Sequence, residues 1–160
     1  MRQRQNLTAT DEWYTPRWLI DKLGPFDCDP CAAPINVRPF QTASVCYSKE
    51  DDGLARHWEG VVWMNPPYSR VLLRQFCEKM AKHNNGIALL KNIQDNLLFQ
   101  EVIFPTAKSM IFMRHRVKFV CPDKKSSQPF FGSCLVAWGS ECDRRLRQSD
   151  IEGKYVVLNV

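Results

Sequence analysis

Residues 61–68, Val-Val-Trp-Met-Asn-Pro-Pro-Tyr, constrain the fold more than any other stretch of this chain. The apolar run reads as a buried strand. Two prolines in succession then remove two backbone donors and fix φ, so neither a ladder nor a helix continues through them. The strand must break into a stiff, extended turn that begins with the amide of Asn65 and ends with the ring of Tyr68. Open α/β sheets bind their ligands outside the carboxyl ends of the strands, where this turn falls. It is either a rigid strand-to-helix connection with a surface tyrosine or a preorganised site, and the remaining sequence decides between them.

Around this turn, strand and helix patterns alternate. Pro16 opens a helical pattern over Arg17–Leu23 that Gly24-Pro25 closes. Residues 26–28 read as a short strand ending at Asp29-Pro30, residues 32–41 as irregular, and residues 43–47 as a second strand before the acidic turn Glu50-Asp51-Asp52-Gly53. After the prolines, Ser69 caps a helix with Leu72, Leu73, Phe76 and Met80 on one face. Residues 87–90 form the next buried strand, and residues 96–104 a helix that Pro105 stops. Strands follow at residues 109–113, 117–120 and 131–138, the last two joined by a polar loop over residues 122–129. The order implies an α/β sheet, mostly parallel, with an antiparallel edge hairpin. Beyond Gly139 the pattern reads either way.

Length suits one domain: 160 residues, with residues 1–12 as a polar arm and residues 13–160 as the folded unit. A hydrophobic content of 44% is ordinary for a soluble globular protein. No run reaches the ~18 apolar residues of a membrane span, and the polar start is no signal peptide, so the expected compartment is the cytoplasm. The formal charge of +5 is compatible with a nucleic-acid partner and equally with many basic enzymes. Cys28 and Cys31 form a Cys-x-x-Cys, but no second pair follows. His57, His83 and His115 stand at no ligand-like spacing from any cysteine. Free thiols are expected rather than a metal site.

The Asn-Pro-Pro-Tyr turn suits one particular chemistry. An exocyclic amine on a purine is a poor nucleophile because its lone pair is delocalised into the ring. The Asn65 side-chain oxygen and a carbonyl of the Pro66-Pro67 turn could accept both amino hydrogens and free that lone pair for attack. Tyr68 would stack on the base, holding a nucleotide turned out of its duplex. The prolines fix the carbonyl, so nothing need reorganise at the moment of reaction.

Four motifs then occur in order: WYTP at 13–16, DPCAA at 29–33, DGLARHW at 52–58 and NPPY at 65–68. Arg116 to Phe119 and Phe-Gly-Ser at 131–133 follow. In these the chain resembles S-adenosylmethionine-dependent amino-methyltransferases, most closely the phage-type DNA N6-adenine methyltransferases, over residues 11–138. The resemblance implies a Rossmann-like sheet, shortened here, because few residues separate Asp29 from Asn65 and Cys31-Ala32-Ala33-Pro34 replaces the usual glycine-rich turn. It also implies methyl transfer to adenine N6 in DNA without a separate target-recognition domain. Thr15 and Pro16 would meet the methionine end of the cofactor, with Tyr14 beside them. Asp29, Pro30 and Cys31 would line its pocket, and Asp52 would touch its adenine or ribose. Asn65, Pro66, Pro67 and Tyr68 would hold the target adenine.

Arg114, Arg116 and Lys118, with Lys124 and Lys125 in the following loop, offer a basic row for DNA phosphates. Plainer readings stand beside these: Asp51 and Asp52 as a solvated turn, Trp58 and Trp63 as core. A protein glutamine methyltransferase is the alternative enzyme, because some of these share Asn-Pro-Pro-Tyr. A catalytically inactive DNA-binding relic is the alternative outside enzymes.

Overall fold

A computed structural model of the protein describes residues 13–120 and 131–160. The expected polar arm and the loop lysines Lys124 and Lys125 lie outside the described residues. Seven strands form one sheet in the order β2-β1-β3-β4-β6-β5-β7. They are β1 Cys28–Asp29, β2 Val45–Cys46, β3 Val62–Met64, β4 Gly86–Lys91, β5 Ser109–Met113, β6 Ser133–Trp138 and β7 Gly153–Val157. β2, β1, β3 and β4 pair in parallel, whereas β6 is antiparallel to both β4 and β5, and β7 is antiparallel to β5. β1 is held to β3 partly by a side chain. Asp27 donates its N–H to the Val61 carbonyl and accepts the Val61 N–H on Oδ2 at 2.7 Å.

Both faces of this sheet are apolar, as a covered parallel sheet requires. Val62, Met64, Ala88, Leu90, Cys134 and Val136 face one way. Helix α2, Arg70–His83, covers them with Leu73, Phe76, Cys77 and Met80, and Phe99, Val102 and Ile103 complete that layer. Trp63, Ile87, Leu89, Leu135 and Ala137 face the other way, under α1 (Arg17–Leu23) and α4 (Ser140–Gln148). The alternation along each strand therefore decides which side chains can reach which layer.

Among the described residues no α-helix joins β1 to β2 or β2 to β3; one 3₁₀ turn, Lys49–Asp51, is the only helical piece there. A parallel crossover usually carries a helix. Its absence is the shortening that the resemblance implied, and it leaves the irregular residues 32–41 beside the end of β1.

Three elements differ from the sequence reading. Residues 117–120 form no strand of an edge hairpin: Val120 makes an isolated bridge to Tyr14, and the antiparallel strand β6 is threaded between β4 and β5. Pro105 does not stop the third helix. The turn Phe99–Ile103 widens to π geometry, and α3 (Phe104–Thr106) continues past it. Widening removes the clash that a proline makes with the carbonyl four residues earlier. Leu72 is 41% exposed, so the buried stripe of α2 runs through Cys77 instead. Ser69 does occupy the N-cap position, without a side-chain capping bond.

Candidate active site

The carboxyl ends of β1 and β3 open into one cleft, walled by the chain before α1 and by the irregular segment after β1. Thr15, Asp29, Cys31 and Asn65 all line it, together with Trp13, Tyr14, Arg38 and Thr42. Three motifs far apart in sequence thus converge on one site. Pro16 caps α1 just behind it.

Asn65 continues the Val61–Trp63 alternation and therefore points to the α1 side of the sheet. Its Nδ2 donates to the Trp13 carbonyl at 2.7 Å and lies 3.3 Å from Thr15 Oγ1. A carbonyl accepts only, so the amide has one permitted orientation, with Oδ1 directed away from Trp13. The buried Trp63 indole donates to the same Thr15 hydroxyl at 3.1 Å, which fixes Thr15 in turn. Trp63 is thus a core residue, as its plainer reading had it, and also a support for the site. The Oδ1 atom accepts no hydrogen bond among the described residues. An acceptor is therefore held ready, its partner atoms already satisfied.

Asp29 ends β1 and is 2% exposed. The Thr42 hydroxyl donates to Oδ2 and the Cys31 N–H donates to Oδ1 at 2.9 Å. Burial pushes its carboxyl up to about 6, against the opposing pull of the Thr42 and Cys31 hydrogen bonds and of the Arg38 charge. Near neutral pH the group is a carboxylate held at a cost, which an incoming donor or cation would relieve.

Tyr68 lies at the other end of the turn in an aromatic cluster. Its ring meets Phe131 edge-on at 5.5 Å, and Phe131 meets Trp13 at 6.5 Å. Lys91, the last residue of β4, places Nζ 4.7 Å from the Tyr68 ring centre and 4.3 Å from that of Phe131. The Tyr68 hydroxyl is buried without a hydrogen-bond partner among the described residues, and burial holds its pKa well above the ordinary range.

Asp52 stands outside the cleft. It is exposed, in a left-handed conformation, and its carboxylate accepts no hydrogen bond among the described residues. The motif around it has an evident packing role. A Cβ on Gly53 would lie 2.0 Å from the Pro30 carbonyl, so only glycine permits this approach, and the Gly53 carbonyl accepts the Trp58 indole N–H at 2.8 Å. Asp51 is likewise structural: it completes a capping box with Ser48.

Arg114, Arg116 and Lys118 belong to no strand. Val117 and Phe119 are buried while Arg116 and Lys118 are exposed, so the expected alternation exists in an extended segment after β5. The paired hydrogen bonds between Tyr14 and Val120 tie that segment to the cleft wall. Arg114 is exposed and partly engaged, 3.6 Å from Glu152, which His115 also approaches. The cysteines Cys28, Cys31, Cys46, Cys77, Cys134 and Cys142 are free, and burial raises the thiol pKa of Cys28 to about 11.

Sequence reasoning missed Arg38, Thr42 and Lys91. The first two sit in or beside a stretch with no periodicity, where only folding shows what each residue faces. Lys91 did carry a signal, a lone cation closing the apolar run Gly86–Lys91 on the edge where ligands bind.

An asparagine oxygen that accepts no hydrogen bond among the described residues, beside a cleft on the carboxyl edge of a Rossmann-like sheet, fits the amino-methyltransferase class. Residues 3–149 match the family described as DNA N-6-adenine-methyltransferase (Dam). The DNA N-6-adenine-methyltransferase of Haemophilus phage HP1 is 28% identical over 134 residues, covering 75% of this chain and 73% of that one. That of Escherichia phage T1 is 36% identical over 88 residues, covering 50% of this chain and 35% of the phage protein. No solved structure matches. The chain belongs to the DNA N-6-adenine-methyltransferase family, and it is an adenine-specific DNA methyltransferase. Neither a protein glutamine acceptor nor an inactive relic is favoured by these matches.

Proposed function

We propose that the enzyme takes its methyl group from S-adenosylmethionine held in the Thr15–Asp29–Asn65 cleft and delivers it to an adenine turned out of the DNA against Asn65–Tyr68. The donor set suits such a ligand. Asp29 keeps lone pairs beyond those used by Thr42 and Cys31, so its carboxylate can take an ammonium or hydroxyl donor from the cleft side. Thr15 and Cys31 line the same cleft. When bound, the cofactor supplies a methyl group on a sulfonium centre, reactive enough for a weak nitrogen nucleophile.

The protein's own part is to make that nitrogen a better one. Asn65 Oδ1 accepts a hydrogen bond from one N6–H, and a backbone carbonyl of the Pro66-Pro67 turn accepts one from the other. With both protons held, the lone pair is drawn out of conjugation toward the methyl carbon. Nitrogen then carries extra positive charge in the transition state, and both acceptors stabilise it there more than in the ground state. Tyr68, with Phe131 at its edge, offers the aromatic surface against which the base rests. The exposed cations Arg116 and Lys118, with Lys124 and Lys125, meet phosphates. The reaction takes place on DNA in the cytoplasm; among the described residues no helix is long and apolar enough to cross a membrane.

The orientation of the Asn65 amide is the observation that most supports this reading, because the opposite orientation would present a donor and repel an amine. Incubation with DNA and methyl-labelled S-adenosylmethionine, followed by digestion to nucleosides, tests it. The label is expected in N6-methyldeoxyadenosine; label in methylated cytosine, or none with folded enzyme, would contradict it.

A further inference from the structure

Arg38 and Asp29 face the same cleft with opposite charges and, among the described residues, form no ion pair with each other. They are near enough for the Arg38 charge to lower the Asp29 pKa. The guanidinium is anchored from behind: Nε donates to the Ala33 carbonyl at 3.0 Å and Nη1 to Gln41 Oε1 at 3.0 Å. Five N–H donors in a rigid fork leave three for a ligand. The carboxylate is anchored too, by Thr42 and the Cys31 N–H. Two opposite charges, each fixed by its own partners and held apart across a cleft, complement a ligand that carries both a carboxylate and an ammonium. A neutral ligand would leave both unanswered, and direct pairing would close the gap.

Taking S-adenosylmethionine as the cofactor, as proposed above, we infer that Arg38 and Asp29 together bind the zwitterionic amino-acid end of that cofactor, with Arg38 on its carboxylate and Asp29 on its ammonium. The residues that bring Arg38 there belong to the helix-free crossover from β1 to β2, residues 30–44, where the glycine-rich turn would otherwise lie. In such a turn backbone N–H groups and a helix start would meet the ligand. Here a side-chain cation does that work, and the missing helix is what leaves room for it.

Titration calorimetry on the whole protein tests this with two ligands, S-adenosylhomocysteine and 5′-methylthioadenosine, which lacks the amino-acid end. Arg38→Gln is expected to weaken S-adenosylhomocysteine by about ten- to hundredfold, the usual loss for a hydrogen bond to a charged group, and to leave methylthioadenosine unchanged. Arg38→Lys, which keeps the charge but not the fork, should lose less on the first ligand and nothing on the second. Equal losses for the two ligands would reduce Arg38 to a wall of the cleft and overturn the inference, as would no loss for either. Wild-type protein that binds neither ligand would overturn the cofactor reading itself, a result distinct from a failure confined to Arg38.

Discussion

Replacing Asp29 by Asn removes a charge that burial holds near pKa 6 while retaining an oxygen to accept the Cys31 N–H and an amide that can donate to the Thr42 hydroxyl, which donates to Asp29 in the wild type. The folded-state value lies above the 3.8 of an ordinary Asp, so the protonated group favours folding fully below pH 4, and that contribution is lost as pH rises through 6. The displacement corresponds to about 3 kcal/mol. Asp29→Asn should therefore gain stability relative to wild type as pH rises from 4 to 7, by up to that amount in denaturant melts, while losing cofactor affinity. A stability difference that does not change with pH would mean that Asp29 titrates normally. Tyr68 gives the complementary case. Its hydroxyl is buried and unpaired among the described residues, so Tyr68→Phe should cost neither stability nor much activity, because it deletes a group that already lacks a partner. Tyr68→Ala removes the ring and should slow methyl transfer severely; similar rates for the two variants would take stacking out of the mechanism.

Within an element, the close approach of Gly53 to Pro30 shows why two distant motifs travel together. One supplies the only residue that lets the other's backbone come near, and Asp29 sits one residue before that backbone. Gly53→Ala would force a carbon to within 2.0 Å of the Pro30 carbonyl. It should destabilise the fold by about 1–3 kcal/mol in chemical denaturation, with weaker cofactor binding following from the shift of Asp29; a neutral variant would show that this turn yields easily. The same scale explains what was legible in the sequence. Proline and apolar runs placed the β3 end, α1, α2 and β4, because each is dictated by local backbone chemistry or by one helical stripe. The position of β6 was not legible, since insertion between β4 and β5 rests on ladders to residues at long sequence separation. Pro105 misled because a π turn absorbs its clash, and no local residue announces that. Asn65, Thr15 and Asp29 were named as candidates by type and order, and the fold brings them into one cleft, whereas Arg38 became a candidate only once the cleft existed.

For the whole molecule, a net charge of +5 favours phosphate contacts as the main hold on DNA. Replacing Arg116, Lys118, Lys124 and Lys125 by Glu should weaken DNA binding and flatten its salt dependence, by about 0.9 in slope for each phosphate no longer neutralised. Cofactor affinity should stay the same. An unchanged salt slope would place the DNA elsewhere, along Arg70, Arg74 or the polar residues 1–12. The proposed chemistry converges on one atom, the Oδ1 of Asn65, which the fold positions from three directions through Trp13, Thr15 and Trp63. The direct test is single-turnover methyl transfer to DNA adenine by Asn65→Ala, with S-adenosylhomocysteine affinity measured on the same preparation. The expected result is a rate lower by about 100-fold or more, the cost of losing one positioned acceptor, with ligand affinity nearly unchanged; a rate near that of wild type would contradict the account.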